Sequence, residues 1–93
     1  MTRNSFDTLR PRLPRGVRLS YDTSRACWLM LAPERIFKPD EIAVQIIRRC
    51  DGERSVADIV DDLSEIFDAD RREVRADVID FLRDLADKRV LDL

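Results

Sequence analysis

Cys50-Asp51-Gly52-Glu53-Arg54-Ser55, followed one short helix later by Phe67-Asp68-Ala69-Asp70, decides the fold of this chain. Gly52 suits the left-handed backbone that ends a helix, and Ser55 suits the N-cap of the next, with Asp58 three residues on in a variant of the capping box. Asp70 and Glu73 repeat that pattern. The last two thirds of the chain therefore reads as three amphipathic helices joined by tight turns, a layout like a helix-turn-helix.

Working outward, Pro39, Asp40 and Glu41 suit the first turn of helix one, where the missing proline N–H costs nothing and carboxylates meet the positive end of the dipole. Ile42, Ala43, Ile46, Ile47 and Cys50 give its apolar face, which Gly52 closes. Val56, Ile59, Val60, Leu63 and Ile66 form the stripe of helix two. Helix three is expected from Arg71 to Asp87, with Val74, Val78, Phe81 and Leu85 as its core stripe. Ile79, Leu82 and Ala86 widen that stripe to a second flank. Val90, Leu91 and Leu93 are expected to fold back onto the domain.

Upstream the period changes to two. Val17, Leu19 and Tyr21 alternate up to a polar turn at Asp22-Thr23-Ser24-Arg25, and Ala26 to Ala32 is apolar on both faces, with Trp28 and Met30 on one side and Cys27, Leu29 and Leu31 on the other. Pro33-Glu34 supplies a second turn, so Arg35-Ile36-Phe37-Lys38 returns as a short third strand. The fold class is α+β, a three-stranded antiparallel meander followed by three helices. Residues 1–16 lack periodicity and contain Arg10-Pro11-Arg12-Leu13-Pro14-Arg15-Gly16. They read as a flexible basic lead-in, mobile unless a partner holds it, ahead of a domain spanning residues 17–93.

A length of 93 residues has room for one domain, and 44% hydrophobic with 39% charged residues places it among soluble helix-rich proteins. No apolar run is long enough to span a bilayer and no signal segment opens the chain, so the expected location is the cytoplasm. The net charge of -2 conceals an asymmetry: residues 1–39 hold eight basic against three acidic residues, and residues 40–93 hold nine against sixteen. Arg71, Arg72 and Arg75 open the helix that would enter a major groove, which makes a winged-helix DNA-binding regulator the alternative function. The acidic surplus of the helical part, including Glu73, Asp77, Asp80, Asp84 and Asp87 on that helix, opposes it.

Familiar catalytic constellations are missing from the sequence. It has no histidine and no glycine-rich phosphate loop, and neither Cys27 nor Cys50 has a base beside it. No enzyme, no metal site and no cofactor are expected. Both cysteines fall at apolar positions and read as small buried hydrophobes, with a disulfide as the second reading. Strand addition of a peptide is the third functional possibility. A short edge strand leaves backbone groups free, and the Ile79–Leu82 flank of helix three could supply side-chain pockets. The same pattern also fits a charge-guarded edge and a plain core.

Leu29-Met30-Leu31-Ala32-Pro33-Glu34-Arg35-Ile36-Phe37, Asp40-Glu41-Ile42-Ala43, Cys50-Asp51-Gly52, and Asp77-Val78 with Phe81-Leu82 and Leu85 closely resemble the PqqD family, small peptide-binding proteins of pyrroloquinoline quinone biosynthesis. The likeness runs from about Arg10 to the C-terminus. It implies a winged-helix-like domain that binds the precursor peptide PqqA and presents it to the radical S-adenosylmethionine enzyme PqqE, a chaperone with no chemistry of its own. In such domains the peptide adds to the third strand along the third helix. That maps here onto Arg35, Ile36, Phe37 and Lys38, and onto Arg75, Val78, Ile79, Leu82 and Arg83. Lys38-Pro39 departs from the expected apolar-polar pair and puts Lys38 in doubt as a contact. The two-faced strand around Trp28 leaves a homodimer open.

Overall fold

The computed structural model describes residues 5–93. Strands β1 (Arg18–Asp22), β2 (Cys27–Ala32) and β3 (Arg35–Phe37) form an antiparallel meander in that order, followed by helices α1 (Glu41–Arg48), α2 (Val56–Ile66) and α3 (Arg71–Asp87). This is the expected α+β architecture. Leu19 pairs with Met30 and Met30 with Phe37, so these three side chains share the face that meets the helices, and Met30 is 1% exposed at its centre. The alternate face carries Leu29, Leu31 and the exposed Ile36.

Local chemistry sets the turns. The Asp22 carboxylate accepts from the Ser24 hydroxyl at 2.8 Å and from the backbone N–H groups of Ser24 and Arg25. These bonds, led by the Ser24 hydroxyl, hold Asp22 below the ordinary carboxylate range. At the second hairpin Pro33 is followed by Glu34 at φ 63°, the pattern of a type II turn, and Ala32 pairs directly with Arg35 across it.

The helix boundaries correct the sequence in detail. Asp40 is the N-cap of α1, accepting from the Ala43 N–H at 2.8 Å, so Pro39 lies outside the helix rather than in its first turn. Arg49 is the C-cap, and Gly52, at φ 80°, sits in the following loop instead of ending the helix. A side chain there would press against Arg12, whose Cβ lies 3.3 Å from the position a Cβ would take. Asp51 organises this loop by accepting from the N–H groups of Arg54 and Glu53, bonds that hold its carboxyl below the usual range.

Ser55 and Asp58 close the full capping box of α2. Asp70 caps α3 through the Arg72 N–H, two residues on, so the second box is not reproduced. Ile66, expected in the α2 stripe, is the last residue of that helix and is 55% exposed.

The core joins Met30 to Ile46 and Ile47 of α1, Val56, Ile59, Val60 and Leu63 of α2, and Val78, Leu82 and Leu85 of α3. Val90 and Leu91 are buried after α3 as expected, whereas Leu93 is exposed. Cys50 is buried and its thiol donates to the Ile46 carbonyl at 3.3 Å. Burial pushes this thiol up to about 12, with the Asp51 carboxylate adding to the effect. Because the folded value lies above the ordinary 9.0, the stabilisation from the buried neutral thiol is complete below that pH and is lost as pH rises through the folded value. A maleimide added at neutral pH is therefore expected to label half-buried Cys27 and to spare Cys50 until denaturant is present. Mass spectrometry checks this, and two labels on native protein would contradict it.

Residues 5–16 of the lead-in pack against the helical part of the domain. Ser5–Thr8 forms a 3-10 turn whose Asp7 accepts from Arg75 Nε at 2.9 Å, and Phe6 lies under the Arg83 guanidinium at 5.2 Å. Val56 donates to the Leu9 carbonyl, Gly52 donates to Pro11, and Pro11 is fully buried. Arg12 exchanges two backbone hydrogen bonds of 2.9 Å with Asp92. The strap is held largely by backbone groups of the loops after α1 and α3 and by the first N–H of α2, which the helix itself leaves unpaired, a signal absent from its own side-chain pattern. Residues 1–4 of the expected lead-in lie outside the described part.

Candidate peptide-binding groove

The turn geometry dictates which backbone groups of β3 are free. Ala32 and Arg35 flank a two-residue turn and form a hydrogen-bonded pair, so Leu31 with Ile36 is a non-hydrogen-bonded pair and Met30 with Phe37 is again hydrogen-bonded. Arg35 and Phe37 therefore aim their N–H and C=O groups at β2, and Ile36 aims both of its groups outward. As the end of the β1-β2-β3 order, β3 is an open edge.

Beside that edge lies a groove of about 190 Å³. Met30, Ile47 and Leu85 form its floor, Phe37, Lys38 and Pro39 one wall, and Phe81, Asp84 and Lys88 the other. Phe81, Asp84, Leu85 and Lys88 recur at spacings of three and four, which puts them on one face of α3. Lys88 Nζ pairs with Asp84 at 2.5 Å. Arg35 reaches across the far end, donating to the Lys88 carbonyl at the α3 C-cap while its guanidinium sits 5.3 Å from the Phe37 ring centre. Its charge thus ties β3 to α3.

The residues expected on α3 divide. Val78 and Leu82 are 1% and 0% exposed and belong to the core, Val78 at the base of a depression it shares with Ile42, Phe67 and Val74. Arg75 and Arg83 lie on the opposite flank and hold the N-terminal 3-10 turn, and half-buried Ile79 lies between them on the same side. On β3, Ile36 is 67% exposed, Phe37 and Lys38 line the groove, and Arg35 bridges it. Sequence reading missed Phe81, Asp84 and Lys88. Their spacing was visible, but Phe81 was read as core because either flank of an apolar stripe satisfies helical periodicity equally well.

The arginines expected to meet a duplex are partly committed within the domain. Arg71 pairs with Asp61 at 2.6 Å, which raises the guanidinium further, and Arg75 is committed to Asp7. Two of the three arginines at the start of α3 are thereby matched with carboxylates. No helix among the described residues is long and apolar enough to cross a membrane.

The meander, the three helices and an open edge beside a groove define a small winged-helix-like α+β domain. Residues 27–91 match the family model of coenzyme PQQ synthesis protein D, PqqD. The chain is 53% identical to the PqqA binding protein of Rhodopseudomonas palustris strain TIE-1, covering 91% of this chain and 83% of that one. It is 48% identical to the PqqA binding protein of Xanthomonas oryzae pv. oryzae strain PXO99A, over 89% and 90%.

Solved structures agree. The PqqD truncation of Methylobacterium extorquens PqqCD, described as a functional and stand-alone recognition element for ribosomally synthesized and post-translationally modified peptides, superimposes with a TM-score of 0.76 at 44% identity, covering 89% of this chain and 88% of that one. PqqD from Xanthomonas campestris gives 0.61 at 44% identity, over 87% and 90%. This chain belongs to the PqqD family.

Proposed function

We propose that this protein is a non-catalytic peptide chaperone of pyrroloquinoline quinone synthesis, which captures the precursor PqqA by strand addition to β3 and presents it to the radical S-adenosylmethionine enzyme PqqE. The observation that carries the reading is the coincidence of the outward-facing Ile36 backbone with a groove lined by Phe37, Lys38, Phe81, Asp84 and Lys88. An extended peptide takes main-chain hydrogen bonds from such an edge and places alternate side chains in the groove. Lys38 suits an acidic group on it, and Phe81 suits an apolar one. The names of the relatives support the choice of PqqA as ligand. Nothing in this role calls for a cofactor.

Titration of isotope-labelled protein with PqqA tests it by amide shifts. Ile36, Phe37, Lys38, Phe81 and Asp84 are expected to respond, while Arg75 and Arg83 stay silent behind the N-terminal strap. Shifts confined to the Arg75–Arg83 flank would overturn the assignment. Delivery to PqqE is tested separately, by asking whether PqqE modifies PqqA when this protein is omitted.

A further inference from the structure

The groove beside β3 does not end at Phe81. Two further depressions continue it along α3. The first, of about 230 Å³, lies between Ile42 and Phe81, and the second, of about 140 Å³, is lined by Ile42, Phe67, Ala69 and Val74. Neighbouring depressions share walls: Phe81 belongs to the groove and the first, and Ile42 and Asp77 belong to the first and the second. The wall supplied by α3 is a single face running from Lys88 through Asp84, Phe81 and Asp77 to Val74. β3 runs opposite to α3, with Arg35 beside Lys88 and Pro39 beside Phe81, so the trough leads on past the end of the strand.

Ile42 and Phe67 are 56% and 42% exposed, large apolar side chains left open at the trough's far end. The last depression is almost wholly apolar and has about the volume that takes up a benzene ring in an enclosed cavity, ~150 Å³. One charge stands over it. Asp77 lines both outer depressions and pairs with no described residue, whereas the Asp40 carboxylate is used by the Ala43 N–H.

We propose that this trough holds the part of the bound peptide that flanks the strand added to β3, taking one aliphatic or aromatic side chain between Ile42, Phe67 and Val74 with a basic residue of the peptide set against Asp77. The inference rests on the peptide-binding reading above. It gives the peptide a second anchor, on the helices, whose contribution adds to that of the three-residue edge.

The test compares two ligands on the full chain: PqqA, and a peptide trimmed to the residues whose amides are protected from exchange in the complex with β3. Ile42→Ser combined with Phe67→Ser is expected to weaken PqqA about tenfold and to leave the trimmed peptide unchanged. Both positions are surface, so the thermal melt is expected to stay close to that of the wild type. Asp77→Lys should likewise weaken PqqA alone, with a smaller salt dependence. Equal affinity of wild type and the double variant for PqqA overturns the trough while leaving the β3 groove standing. Equal weakening of both ligands overturns it too, as damage to the groove. If the wild type binds neither ligand, the functional reading itself falls.

Discussion

Leu82→Asp is expected to unfold this protein rather than to disable a binding groove. Leu82 is 0% exposed and packs within the cluster that joins all three helices to the sheet. Truncating such a leucine costs about 2–5 kcal/mol, and an unpaired carboxylate in its place adds a desolvation penalty of several kcal/mol or forces the group to stay protonated. A domain of this size commands roughly 5–10 kcal/mol in total. Far-UV circular dichroism with a thermal melt decides the matter, and a cooperative transition within a few degrees of the wild type would show that the burial is wrong. Phe81→Gln provides the contrast. Its ring is only half-buried and faces the groove, so that variant is expected to fold and to bind PqqA poorly.

The second large effect is expected from Ile36→Pro. The Ile36 N–H points away from β2, so proline removes no hydrogen bond of the native ladder and edge strands tolerate it in that orientation. What it removes is the donor a peptide strand would use, and its ring fills the space that strand would enter. That one backbone bond, worth about 1 kcal/mol, together with the steric block on the strand and on its bond to the Ile36 carbonyl, corresponds to a loss of roughly 10- to 100-fold in affinity. Isothermal titration with PqqA measures it. Ile36→Thr keeps the N–H and the β-branch and is expected to retain most of the binding. Loss of affinity in both variants would instead assign the effect to the exposed side chain.

These two residues mark how much the sequence disclosed. Elements encoded by neighbouring residues were readable: the Ser55–Asp58 box, the Asp22 turn and the Pro33-Glu34 hairpin each follow from two or three side chains acting on adjacent backbone. The edge strand was readable for the same reason, because a three-residue return after a tight turn has nowhere to find a second partner. The rotation of α3 was not. Its apolar stripe is flanked by Phe81 on one side and Ile79 on the other, and only contacts with β3 and with the N-terminal strap decide which flank opens to solvent. Arg75 and Arg83 looked like free cations for the same reason, since Asp7 and Phe6 are some seventy positions away.

The strap has one consequence for synthesis. Arg12 is bound through both of its backbone groups to Asp92, so the clasp cannot close until nearly the whole described chain has left the ribosome. Until residues 6–9 dock, the Ile79 side of α3 and the first turn of α2 lack their cover. The clasp closes the longest loop among the strap's contacts, although chain entropy makes that cost grow only slowly, by about 0.6 kcal/mol for each doubling of loop length. Undocking the strap would bare that side of α3 while leaving the peptide groove, on the opposite flank of the helix, in place.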